Sequence, residues 1–226
     1  GDGISLSGVR YNKISGNTIE SNNKGLRLGL GPHSEAYNNE IFGNIISNNV
    51  DGIEQNMGYN TIAYNIISPN KENGIHFVSC ASDIESNSIL NNGRGIYIET
   101  SECTISDNTI SNNEEGLYLV GGNNKIQKNN ILNNTLHAHF RYNYLISIID
   151  GPPFIDRSVR DTWEENYWDD SRSSPQKIPG EIRIGRYKLI YFGDIRPPKY
   201  FPIPPIPWFN IDWHPAQEPY SIKVGI

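Results

Sequence analysis

The chain has 226 residues and a formal charge of −6 at pH 7, enough length for one large or two small domains. The charge divides as about −5 over residues 1–143 (9 basic, 14 acidic) and −1 over the rest (10 basic, 11 acidic). Neither part carries the basic stripe that nucleic-acid binding needs, and no apolar run approaches the roughly 20 residues of a membrane span. Composition divides the chain too: 27 of 29 Asn lie at or before Asn143, whereas 12 of 14 Pro and all four Trp follow Gly151. Residues 1–143 therefore read as a repeat body, and 144–226 as a segment capping it.

The first 135 residues return six times to a Gly-aliphatic-x-apolar start, at Gly3, Gly25, Gly52, Gly74, Gly95 and Gly116, spaced by 22, 27, 22, 21 and 21 residues. A repeat of this length cannot bury its own apolar face and must stack on its neighbours. Aligned, the repeats give three apolar columns. One runs from Ile4/Leu6 to Leu117/Leu119, one from Ile14 to Ile126, and one from Ile19 to Ile131. Short strands rich in β-branched residues close each repeat into a three-sided turn, and the turns stack about 4.8 Å apart. The predicted fold class is all-β, a right-handed single-stranded parallel β-helix of about six to seven coils of 21–22 residues, roughly 30 Å long.

The chain opens inside a repeat, with no signal peptide, capping helix or blocking strand before Gly3. That start points to upstream residues removed by processing or truncation. It also leaves a first coil for another subunit to cover, a heterologous contact that makes a filament if it does not close. Self-association is accordingly one expected partnership.

Asn17, Asn44, Asn65, Asn87, Asn108 and Asn129 each precede a third-column Ile by two residues. Asn12, Asn39, Asn60 and Asn124 do the same in the second column, with Ser82 and Cys103 standing in twice. Asn tolerates left-handed backbone, and stacked amides bond one another, so these are read as structural corner ladders and not as a glycan site. The second repeat carries five extra residues within 29–38, whose Gly, Pro and Ser mark a surface loop.

On the first strands, Ser5, Arg27, Glu54, His76, Tyr97 and Tyr118 form an outward stripe, with Glu99 beside it. Arg27, Glu54, His76, Tyr97, Glu99 and Tyr118 are the candidate carbohydrate-binding residues, rings for stacking and polar groups for hydroxyls. The opposing reading is that Tyr97 and Tyr118 stack only because neighbouring strands favour like side chains. Glycoside hydrolysis needs two carboxylates about 5–9.5 Å apart. Asp51 with Glu54, or Glu99 with Glu115, meets that requirement, but charged surface supplies such pairs by chance and no catalytic residue is assigned. Cys80 and Cys103 lie in adjacent coils, offset by about 8 Å against a usual disulfide reach of about 7 Å. They read as core-facing thiols, with a disulfide as the alternative.

Beyond Asn134 the repeat degrades. Residues 136–140 fill a seventh first-strand slot without its glycine, 144–149 read as another strand, and 181–191 as a hairpin around Gly185. The Pro-rich stretch through Pro207 suits only a sheet edge. Trp163, Trp168, Trp208, Phe209 and Trp213 are expected to cap the final coil, since so many bulky rings left exposed invite aggregation. An exposed sugar or protein contact is the rival reading.

Three strings carry a family resemblance: Tyr11-Asn12-Lys13-Ile14-Ser15-Gly16-Asn17-Thr18-Ile19, Glu165-Asn166-Tyr167-Trp168-Asp169-Asp170, and Ile206-Pro207-Trp208-Phe209-Asn210-Ile211-Asp212-Trp213-His214-Pro215-Ala216. They resemble coil and terminal elements of NosD-like β-helix proteins of archaea and bacteria, within the pectate lyase-like group of carbohydrate-binding and sugar-hydrolase repeats. The resemblance spans essentially the whole chain and implies the β-helix and an extracellular or cell-surface location. It says little of activity, because the fold hosts unrelated functions. Its name suggests copper, which wants clustered His, Cys or Met. Of five His, one Met and two Cys, only His137 and His139 share a strand face, and no third ligand joins them. No metal and no other cofactor is expected. The leading reading is a non-catalytic extracellular structural or assembly module. The alternatives are a carbohydrate-binding surface protein with a polysaccharide partner, or a polysaccharide lyase or glycoside hydrolase.

Overall fold

The computed structural model describes residues 1–29, 36–56, 58–78, 82–99, 102–147, 161–169, 176–187 and 205–222, with the side chains of 143–147 and 184–187 left aside. The described residues contain no helix and form three sheets. The first has nine strands, in the order Asp2–Leu6, Lys24–Leu28, Asp51–Gln55, Asn73–Phe77, Arg94–Ile98, Glu115–Val120, Leu136–Ser147, Gln176–Tyr187 and Ile206–Asp212. All neighbours in it are parallel except the last pair. The second sheet stacks seven short strands from Lys13–Ser15 to Thr162–Glu164, and the third stacks seven from Thr18–Glu20 to Tyr167–Trp168. Each coil contributes one strand to each sheet, which is a parallel β-helix.

Register makes the core. Ile41 lies beside Ile62, Ile62 beside Ile84, Ile84 beside Ile105, and Ile105 beside Ile126, all fully buried. Trp163 and Trp168 continue the second and third columns past Ile126 and Ile131, and so build a seventh coil. The repeat-initial glycines have a steric cause. A Cβ on Gly74 would stand 2.7 Å from the Gly95 carbonyl oxygen and 2.9 Å from Ile89 Cγ2, closer than any side chain tolerates.

The asparagines form ladders that run in one direction. Asn87 donates its backbone N–H (2.9 Å) and its Nδ2 (3.0 Å) to Asn108 Oδ1, and Asn108 donates the same pair to Asn129. The Nδ2 of Asn87 and of Asn108 also reaches a strand carbonyl, that of Ile62 and of Ile84, at 2.8 Å each. A buried amide is stable only when its donors and acceptor are met, and here the next coil meets them. A third ladder, Asn22–Asn49–Asn70–Asn92–Asn113–Asn134, occupies the remaining corner. Where Ser82 interrupts one ladder, the fully buried Gln55 accepts from Asn60 Nδ2 at 2.9 Å and donates to Ser82 Oγ at 2.7 Å. The polar residue in an aliphatic column thereby has its reason.

Several expectations are corrected. The left-handed turn is made one residue before most ladder Asn, at Ser86, Asn91, Asp107 and Asn112 among others, with φ of 55–58° at these four; the ladder Asn is selected for its amide bonds. Residues 136–147 are one strand, not two. No hairpin turns at Gly185, because Gln176–Tyr187 runs straight through it, paired on Leu136–Ser147. The antiparallel partner is Ile206–Asp212, an edge strand that tolerates Pro207. Cys103 is buried in the core; Cys80 and residues 30–35 of the second-coil insertion lie outside the described residues.

Candidate functional site

The nine-stranded sheet places Arg27, Glu54, His76, Tyr97 and Tyr118 in one outward column, each beside the next. His139, weighed from the sequence only as a metal donor beside His137, extends it beside Tyr118. The rings stack face to face: His76 on Tyr97 at 4.6 Å and 4°, Tyr97 on Tyr118 at 5.0 Å and 5°, Tyr118 on His139 at 4.1 Å and 16°. Both faces of Tyr97 and Tyr118 are thus covered by neighbouring rings, and only ring edges remain. A sugar ring needs an open aromatic face, so this ladder offers it little. The Arg94 guanidinium lies 5.0 Å from the Tyr97 ring centre and adds cation–π contact.

The carboxylates of the same face are paired with Lys, Arg or His side chains. Asp51 and Glu54, both buried, ion-pair with Lys24, and Glu54 also reaches Arg27 at 3.1 Å. Asp51 further accepts from Asn73 N–H and Nδ2. Glu99 faces His76 Nε2 at 2.9 Å, while Glu115 holds Arg94 at 3.1 Å and contacts His139 Nδ1. Burial pulls the Lys24 ammonium down, but its bonds to Asp51 and Glu54 outweigh that and hold it above its ordinary value. Burial, then Glu99, pushes the Tyr97 phenol up to about 12. Lys24 and Tyr97 are thereby held away from proton transfer near neutral pH.

His137 and His139 are separated although they are two apart. His139 joins the ring column, whereas His137 turns toward Trp168 and meets Asp169 Oδ1 at 2.6 Å. That pair borders a cleft of about 560 Å³ with Asn134, Gln176 and Lys177. No group of three or more His, Cys, Asp or Glu capable of holding a metal occurs among the described residues.

The expected capping aromatics divide. Trp163 and Trp168 are buried in the seventh coil, but Trp208, Phe209 and Trp213 are 42%, 49% and 62% exposed. Two of the Asn ladders end on carboxylates. Asp161 Oδ1 accepts from Asn124 N–H and Nδ2, and its Oδ2 accepts from Tyr142 Oη–H. Asp212 Oδ2 accepts from Asn166 N–H and Nδ2 and from Trp168 Nε1. The signal for Asp161 was in the register: it precedes Trp163 by two residues, as each ladder Asn precedes its Ile. Asp212 carries no such signal, since its strand lies outside the repeat.

No helix among the described residues is long and apolar enough to cross a membrane. No curated protein and no solved structure matches the chain. The family model described as periplasmic copper-binding protein (NosD) matches residues 33–173, more than half of the chain, and together with the stacked parallel coils this shows that the chain belongs to the NosD family of β-helix proteins.

Proposed function

We propose that the chain is a non-catalytic structural module of an extracytoplasmic assembly, with the stiff β-helix itself as the working element. The family is periplasmic by its description, which supports a location outside the cytoplasm. The observation that carries the proposal is the outward face: its rings cover one another and its carboxylates are each held by Lys, Arg or His of neighbouring coils. Groups that satisfy one another across coils stiffen a stack and leave little for a substrate. Incubation with acidic and neutral polysaccharides should release neither unsaturated nor reducing ends; turnover above a Glu54→Gln, Glu99→Gln control would overturn the reading in favour of a lyase or hydrolase.

The family description names copper, and the described donors do not fit it. His76, His137 and His139 face three different carboxylates, Glu99, Asp169 and Glu115, and Cys103 lies in the core. Copper sites draw such donors together. His33, Met57 and Cys80 lie outside the described residues. Copper is therefore no part of the proposed role.

In the first coil Ile4, Leu6 and Ile14 are only partly buried. Its ladder residues Asn12, Asn17 and Asn22 donate into the second coil, and their own Oδ1 atoms receive no donor among the described residues. A coil that presents Asn donors matches this face. The C-terminal face of a second copy, closed by the acceptors Asp161 and Asp212, does not. Sedimentation velocity should therefore show no head-to-tail polymer of this chain alone; concentration-dependent filaments would contradict the donor–acceptor argument.

A further inference from the structure

Lys24 differs from the other lysines seen in ion pairs. Lys13 and Lys128 meet Glu40 and Glu165 at 3.8 Å and 3.7 Å, and all four residues are exposed. The Lys24 side chain is only 19% exposed and touches two buried carboxylates, Asp51 beside it in register and Glu54 at 2.7 Å. With Arg27, which reaches Glu54, four charged groups crowd one corner between the second and third coils.

The surroundings of Asp51 supply the parts of a condensation. Its Oδ1 accepts from Asn73 N–H at 3.1 Å and from Asn73 Nδ2 at 2.7 Å, two donors placed where an oxyanion would form. Its Oδ2 faces Lys24 Nζ. The same Nζ meets Glu54 Oε2, a carboxylate able to take a proton from nitrogen and return it to oxygen. Arg27 holds the other Glu54 oxygen, Oε1, at 3.1 Å and so fixes the direction of the carboxylate.

We propose that Lys24 and Asp51 condense to an intramolecular isopeptide, a covalent link between the second and third coils, with Glu54 as the proton carrier. Glu54 takes one proton from the Lys24 ammonium, and the freed Nζ lone pair attacks Asp51 Cγ while Oδ1 carries the negative charge against Asn73. Collapse breaks the Cγ–Oδ2 bond. Two of the three ammonium protons leave with that oxygen as water, one stays on the amide nitrogen, and Glu54 ends as the carboxylate it began. No oxidant, reductant or second molecule is consumed.

The bonds that hold the Lys24 ammonium above its ordinary value keep the neutral amine scarce, so the step is slow, but it has to happen only once. Reacting groups held in contact reach effective molarities of about 10⁵–10⁸ M, which offsets that scarcity. The amide also replaces two desolvated charges with a neutral group. The link closes the 27-residue coil, the longest spacing in the stack and the one with the insertion, where closure costs the most chain entropy. It adds to the structural role proposed above without being required by it: an unlinked Lys24 would leave that role standing.

The test is intact-mass measurement of the whole folded chain after incubation at pH 7, with tandem mass spectrometry of its digest. The parent should be one water lighter than its sequence, and the digest should contain a branched peptide joining Lys24 to Asp51, while Lys13 and Lys128 stay open to trypsin. Lys24→Arg, which keeps a cation but cannot form the amide, should show the full mass. Glu54→Gln should form the link at least about 100-fold more slowly. Circular dichroism of each variant keeps loss of fold apart from loss of reaction. The proposal is overturned if the folded parent keeps its full sequence mass, if the lost water maps to anything but that branched peptide, or if folded Glu54→Gln links as fast as the parent.

Discussion

In the middle of the stack Asn108 receives two hydrogen bonds from Asn87 and passes two to Asn129, while at the C-terminal end Asn124 and Asn166 pass theirs to Asp161 and Asp212. The difference teaches that the ladder has a direction. An amide both accepts and donates, so it relays; a carboxylate only accepts, so it terminates. The third ladder differs, ending on Asn134, whose Nδ2 turns back to Ile110 O at 2.9 Å.

The comparison breaks hardest at mid-ladder. Asn108→Ala strips an acceptor from Asn87 N–H and Nδ2 and a donor from Ile84 O, all buried. Urea denaturation should show a loss of about 3–5 kcal/mol, whereas Asn17→Ala, exposed in the first coil, should cost about 1 kcal/mol. Next comes the terminator. Asp212→Ala leaves Asn166 N–H and Trp168 Nε1–H without their acceptor, at a cost of about 2–4 kcal/mol. Hydrogen exchange should accelerate at Asn166 and Tyr167 more than at Asn87.

Asp161 sharpens the comparison through pH. Burial pushes its carboxyl up from the ordinary 3.8 to about 6, against the bonds from Asn124 and Tyr142 that pull it down. The folded chain then binds this proton more tightly than the unfolded chain. The resulting stability is fully present below the ordinary carboxylate value and is lost as pH rises through about 6. A shift of that size corresponds to about 3 kcal/mol. The difference in melting temperature between the parent and Asp161→Asn should therefore change between pH 4 and pH 7; a constant difference would remove the buried charge from the account. The smallest effect belongs to the outward column, where Tyr97→Ala should cost about 1 kcal/mol in thermal melts, because the ring is stacked on both faces but keeps its edge exposed to water.

The repeat body was legible because a period of 21–22 residues converts sequence distance into stacking distance. Two of the three Asn ladders could be read from their two-residue offset to an Ile. The third was hidden because Asn22, Asn49, Asn70, Asn92, Asn113 and Asn134 stand in Asn-rich turns, where composition alone explains an Asn. Ring stacking of Tyr97 on Tyr118 was foreseen as a possibility, but its length was not: His76 and His139 complete it, and their partners Glu99 and Glu115 come from adjoining columns. The tail failed for a different reason. Gly185 signals a turn locally, yet a strand paired on its neighbour over eight residues, Gly180 to Tyr187 opposite Phe140 to Ser147, overrides that preference. Thr162–Glu164 and Ile206–Asp212 line one cleft, a juxtaposition that no local pattern announces.

The central claim is that the directional Asn ladders hold the stack together. Native-state hydrogen exchange on the ladder backbone amides tests it most directly, since Asn87, Asn108 and Asn129 each donate that N–H to a side-chain oxygen of the next coil. These three should exchange among the slowest amides of the chain, and Asn87 should lose that protection in Asn108→Ala before the flanking strand amides do. Exchange of Asn87 at the same rate in parent and variant would contradict the account.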